Sequence, residues 1–271
     1  MSQLDQTQTA ATSPTERAID QALSQGRAAL IGYLPVGFPS LAASIEAAES
    51  LIDQGVDIIE LGLPYSDPVM DGPVIQEAVA AALEAGFRVD HCFEAVEKLS
   101  TKSAPVLVMT YYNPVLRRGL DRFAAELAAA GGAGTIIPDL VPDEAANWIA
   151  QAKAHQLDRV FLVAPASDNE RLTQAARACR GFTYATSTMG VTGTRATLSR
   201  RAAQLVGRAR AAGAARVCVG VGVSSAAQAA EVASFADGVI VGSALVNALA
   251  GPGGLAQMAA LAGELAQAVR R

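Results

Sequence analysis

Of 271 residues, 51% are hydrophobic and 17% charged, which is enough apolar side chain to fill an interior and excludes disorder over the bulk of the chain. A formal net charge of −5 offers nucleic acid no basic field to neutralise its phosphates, and no apolar run is long enough to span a membrane. Cys92, Cys179 and Cys218 lie far apart, and the two histidines, His91 and His155, have no further ligand at metal-binding spacing, so the reading is a reduced, cytoplasmic protein with no imidazole or thiolate metal centre.

In chain order, residues 1–15 are polar and predict a disordered tail ahead of one domain over 16–271. Ser13-Pro14-Thr15-Glu16 resembles a helix start, with proline at the first helical position, and an extra helix is expected over 16–25. Short β-branched runs then follow at 28–33, 56–61, 105–110, 134–137, 160–163, 182–186, 217–221 and 238–241. Most lead into alanine-rich amphipathic stretches, such as 40–53, 75–84, 120–130 and 196–211. The strands are nearly continuous apolar runs, as in a sheet covered on both faces. Eight strand–helix units at this length predict a single (β/α)₈ TIM barrel with extra helices at 16–25, 89–99 and 256–269. An open doubly wound sheet fits less well, because the first strand lacks a glycine fingerprint.

Barrel chemistry sits at the carboxyl ends of the strands. Glu60 lies inside the apolar run Ile58-Ile59-Glu60-Leu61-Gly62, where a carboxylate is costly to bury. Strand alternation puts Ile58 and Glu60 on one face and Ile59 and Leu61 on the other. In a barrel, Glu60 then points into the mouth, where desolvation suits it to proton transfer near neutrality. Asp67 and Asp71 fall in the long loop 63–73, which is of the kind that carries function. Each also reads as a turn or cap residue. Gly190-Val191-Thr192-Gly193, Gly220–Ser224 and Gly242-Ser243 end three neighbouring units, and a helix beginning at Ser243 adds its dipole, together predicting a phosphate site. Lys98, Lys102 and Lys153 fall at no strand end, which excludes a Schiff-base aldolase. Carbon–carbon cleavage on carboxylates alone then requires a substrate with its own electron sink. Trp148, His155, His91, Cys92 and Cys218 read as packing or surface residues away from the mouth.

The segment Glu60-Leu-Gly-Leu-Pro-Tyr-Ser-Asp-Pro-Val-Met-Asp-Gly-Pro-Val-Ile-Gln76 resembles the signature of the tryptophan synthase alpha chain family. The likeness extends through Gly32–Pro39, Tyr111-Tyr112-Asn113-Pro114, Ile137–Leu140, Gly190–Gly193 and Gly242-Ser243. It implies a (β/α)₈ barrel that cleaves indole-3-glycerol phosphate to indole and glyceraldehyde 3-phosphate, with indole as the sink. By resemblance, Glu60 is the acid/base at indole C3 and Asp71 the loop carboxylate facing the indole N–H. Tyr184 matches an active-site tyrosine, and Gly193, Gly222, Gly242 and Ser243 fall on phosphate-binding positions. Tyr33, Met109, Tyr111 and Ile137 are walls for the indole or else core.

The resemblance further implies no cofactor in this chain, and a pyridoxal-phosphate beta chain as partner in an αββα complex that receives the indole. Asp67, Asn113 and Thr192 are expected at that contact. Thr188 and Met189 depart from the family pattern, as do Tyr65, where phenylalanine is common, and Phe38, where aspartate is frequent. A free-standing lyase of the same family is the alternative.

Overall fold

The structure, a computed structural model, describes residues 12–186 and 195–271, with backbone alone for 195–198. Its sheet has nine parallel strand segments: β1 (Ala29–Pro35), β2 (Ile58–Gly62), β3 (Val106–Met109), β4 (Gly134–Ile136), β5 in two pieces (Asp158–Val160 and Leu162–Val163), β6 (Thr183–Thr186), β7 (Val217–Gly220) and β8 (Gly238–Val241). Each pairs with the next and β1 also pairs with β8, Ala29 opposite Gly238. The two ends of this order are the two pieces of β5. Phe161 lies between them, and its carbonyl accepts the Tyr184 N–H at 3.0 Å. The sheet is therefore rolled into the expected eight-stranded barrel.

Alternation along each strand divides the core in two. Ile31, Ile58, Leu107, Ile136, Val160, Phe182, Cys218 and Ile240 point inward and pack together. Their neighbours Leu30, Ile59, Leu61, Val108, Val219 and Val239 point outward into the layer beneath the helices. With both faces covered, the strands need no polar alternation, which is why they read as continuous apolar runs.

The helix Pro14–Ser24 sends Ile19 and Ala22 into the inner cluster and plugs the amino-terminal end of the barrel. Ser13 and Glu16 form a capping box at its start. The Ser13 hydroxyl also donates to Asp158 Oδ2 at 2.8 Å, and Arg216 pairs with Asp20 at 2.6 Å. These contacts move the expected tail boundary. Ser13 and Thr15 are buried, so the domain begins before residue 16; residues 1–11 lie outside the described residues.

Two other expectations change. β5 starts at Asp158, two residues before the apolar run suggested, because the backbone there already pairs with Gly134 of β4, and its carboxylate is wholly buried beneath Ser13 and Arg180. A helix not foreseen, Tyr112–Arg118, follows β3. Its Pro114 sits in the first turn, where a missing N–H costs nothing.

Candidate active site

Glu60 stands beside Tyr33 of β1 and Leu107 of β3 in the sheet register and shares the inward face with Ile58. It is 1% exposed, and among the described residues neither carboxylate oxygen has a hydrogen-bond partner. Loss of hydration raises its pKa to about 8, so near neutrality the group is chiefly a carboxylic acid with a proton to give. Tyr33 and Tyr184 lie close enough for their phenols to feel its charge. Burial first, and then for Tyr33 the charges of Asp71 and Glu60, push the Tyr33 phenol well above its usual range. Burial and the Glu60 charge do the same to Tyr184. Both tyrosines therefore remain neutral, so the Glu60 carboxyl is surrounded by two uncharged phenols and apolar strand residues.

Two glycines give these rings their room, and the sequence alone did not single them out for that. A Cβ at Gly62 would lie 2.2 Å from the Tyr33 hydroxyl, and one at Gly220 would lie 2.3 Å from that of Tyr184. The available signal was a glycine closing a strand next to a strand that carries a tyrosine. Gly62→Ala is expected to push the Tyr33 ring across the mouth. Overpacking of this kind costs about 1–3 kcal/mol of stability, and a ring displaced across the mouth should separately lower kcat/KM for the chain's reaction roughly ten-fold or more. Steady-state kinetics on the folded variant checks this.

Asp71 reaches the same region from the loop after β2. Burial raises its carboxyl pKa, offset in part by a hydrogen bond from Tyr111. The Tyr111 hydroxyl accepts the Met70 N–H at 2.8 Å, which holds the ring against the loop one residue from Asp71. Burial is the main reason the Tyr111 phenol is pushed up to about 12. Gln76 Nε2 donates to the Asp71 carbonyl at 2.8 Å, tying the loop to the first turn of helix Pro73–Glu84. Tyr33 senses the charges of both Asp71 and Glu60, so the loop acid and the strand acid share a tyrosine neighbour.

The remaining predicted positions divide. β7 and β8 are neighbours, which brings the loops bearing Gly222 and Gly242 to one side of the mouth. Gly222 has φ +75°, and a Cβ at Gly242 would be 3.3 Å from the Tyr33 ring. Ser243 opens helix Ser243–Ala250, as expected. Gly193, Thr192, Thr188 and Met189 lie outside the described residues. Asp67 and Asn113 are exposed. Met109 is half-buried, whereas Ile137 packs in the outer layer with Leu140 and Trp148, the core alternative rather than a wall.

Lys98 and Lys153 lie on helices Val89–Leu99 and Ala146–Ala154, and Lys102 pairs with Glu49 at 3.2 Å. His91 accepts the Arg88 N–H, and His155 pairs with Asp121. Among the described residues no cluster of three His, Cys, Asp or Glu side chains is placed to hold a metal ion, and no helix is long and apolar enough to cross a membrane.

A closed parallel barrel with a buried acid at one strand end and a second carboxyl on the loop above it has the architecture of the (β/α)₈ enzymes, whose active sites lie at the carboxyl ends of the strands. Residues 19–270 match the family described as tryptophan synthase alpha chain. The alpha chain of Leifsonia xyli subsp. xyli is 58% identical over 244 residues, 90% of this chain and 93% of that one. That of Mycobacterium tuberculosis H37Rv is 56% identical over 251 residues, 93% and 92% of the two chains. Among solved structures, Mycobacterium tuberculosis tryptophan synthase superposes with TM-score 0.91 at 55% identity, covering 96% of this chain and 99% of that one. The alpha subunit from Legionella pneumophila str. Paris superposes at 0.87 with 29% identity, over 96% and 99%. The chain belongs to the tryptophan synthase alpha chain family, the lyases that cleave indole-3-glycerol phosphate in tryptophan biosynthesis.

Proposed function

We propose that this chain cleaves indole-3-glycerol phosphate by a cofactor-independent retro-aldol reaction carried by Glu60 and Asp71. The observation that carries this reading is the Glu60 carboxyl, wholly buried at the mouth, without a hydrogen-bond partner among the described residues and with a pKa of about 8. An acid held neutral can protonate indole C3, giving an indolenine whose C=N accepts the electrons when the C3–glycerol bond breaks. The resulting Glu60 carboxylate then takes the proton of the glycerol hydroxyl as that carbon becomes the aldehyde of glyceraldehyde 3-phosphate. Across the ring, Asp71 accepts the indole N–H and stabilises the positive charge that develops there.

Tyr33, Tyr111 and Tyr184 supply an apolar, neutral enclosure. Gly193, Gly222, Gly242 and Ser243 are proposed to receive the phosphate through backbone N–H groups and the start of helix Ser243–Ala250. The family reading further supports a beta chain partner carrying pyridoxal phosphate, arranged αββα, to which the indole passes. Asp67, Asn113 and Thr192 are proposed at that contact. Val69 is 84% exposed, Met70 38% and Leu116 50%; these apolar side chains on the Asp67 loop and the Asn113 helix fit a surface that a partner covers.

The test is to incubate the purified chain with indole-3-glycerol phosphate and quantify indole and glyceraldehyde 3-phosphate, with and without a beta chain. Equimolar products, formed slowly alone and faster with the beta chain, are expected. Full rates without the beta chain would favour the free-standing lyase, and no product in either case would overturn the reading.

A further inference from the structure

The loop that carries Asp71 and the segment that leaves β3 are held together by a reciprocal pair of tyrosines. Tyr111 belongs to the β3 segment and reaches into the loop, where its hydroxyl accepts the N–H of Met70, the residue next to Asp71. Tyr65 belongs to the loop and reaches back, its hydroxyl accepting a hydrogen bond from Asn113 Nδ2 at 2.8 Å. The two rings lie side by side, with centroids 5.4 Å apart and planes tilted by 36°. Each phenol thus ends on the other's segment. Neither ring can swing away without losing its hydrogen bond and its neighbour. Tyr111 is only 6% exposed, whereas Tyr65 is half-buried and Asn113 is exposed, so the clasp runs from solvent inward to the loop acid.

We infer that Tyr65 is a positioning residue for Asp71: its hydroxyl, held by Asn113, fixes the Tyr111 ring and so aims the loop carboxyl during cleavage. A half-buried tyrosine whose only duty was to cover Tyr111 would not need its hydroxyl, since the ring alone would serve. The hydroxyl adds a directional tie to Asn113 that anchors the far end of the ring, where apolar contact alone lets it slide. The inference rests on the reading of Asp71 as a group the reaction requires.

The test is steady-state indole release by the full chain with saturating beta chain, for the parent, Tyr65→Phe, Asn113→Ala, Tyr111→Phe, the Tyr65→Phe/Tyr111→Phe double variant and Asp71→Asn. Loss of one neutral hydrogen bond from the positioned state predicts that Tyr65→Phe lowers kcat about three- to ten-fold, with KM held within about two-fold. Asn113→Ala is expected to match it. In the Tyr111→Phe background, Tyr65→Phe should change nothing further, because the Tyr111 hydroxyl through which it acts on the loop is already gone. A parent-like kcat for Tyr65→Phe, or an undiminished effect in the Tyr111→Phe background, overturns the inference. The two levels separate cleanly: an active Asp71→Asn sinks the reading of Asp71 itself, while an inactive Asp71→Asn beside a parent-like Tyr65→Phe removes only the clasp.

Discussion

Glu60→Gln is expected to abolish indole release and, in the same protein, to raise stability at neutral pH. Glutamine keeps the shape of the side chain but can neither give a proton to C3 nor take one from the glycerol hydroxyl. General acid–base catalysis by one group is worth about 10²–10⁴-fold, and Glu60 is assigned both transfers, so a loss on the order of 10³ or more is expected. The stability effect runs the other way because the fold raises the pKa of this carboxyl from 4.5 to about 8.

A carboxyl whose pKa is higher in the folded state binds its proton more tightly there. That contribution is complete below the unfolded pKa and is lost progressively as pH rises from 4.5 towards 8. Near pH 7 the loss is on the order of 3 kcal/mol. Glutamine, always neutral, is spared it. Urea unfolding at pH 5 and pH 8 should therefore show the variant gaining on the parent as pH rises. Equal pH dependence in the two proteins would contradict the buried-acid description. The parent's kcat/KM should also decline on the alkaline side as Glu60 ionises near pH 8.

Asp71→Asn should inactivate the chain with a much smaller gain. Asp71 sits on a loop outside the barrel core, half-buried, so burial raises its carboxyl pKa but with solvent within reach. Asparagine keeps the size and polarity of the side chain, so stability should change by no more than about 0.5 kcal/mol. It cannot carry the negative charge that answers the indole N–H as C3 is protonated. A fall in kcat of about 10²-fold or more is expected, with KM changed far less. The pair of variants, one inactive and stabilised and the other inactive and neutral to the fold, distinguishes a buried acid from a loop-borne one. If the urea midpoints of the two variants moved together, the different surroundings assigned to these carboxyls would be wrong.

The barrel was legible because its evidence is periodic. A covered parallel strand must be apolar on both faces, and Glu60 stood out as the polar exception whose alternation with Ile58 aims it inward. Asp71 was legible through the long loop and its spacing from Glu60. Asp158 was not, because a charged residue at a strand start looks like the end of a turn. Its burial is explained by Arg180 and by Ser13, 145 residues away. The helix Tyr112–Arg118 was hidden by Pro114, a breaker nearly everywhere except in a first turn. Gly62 and Gly220 looked like ordinary strand ends. Their use as seats for Tyr33 and Tyr184 depends on which side chains the closed barrel brings across from neighbouring strands. Local pattern carries an element's period and a residue's face; pairings across the barrel appear only when the sheet closes.

The most direct measurement is the isotopic composition of indole formed from indole-3-glycerol phosphate in D₂O, with Glu60→Gln run in parallel. A solvent-exchangeable Glu60 carboxyl that protonates C3 predicts one deuterium at C3 of the indole, none at C2, and no measurable indole from the variant. Indole carrying only protium at C3, or labelled indole produced by Glu60→Gln at the parent's rate, would contradict the account.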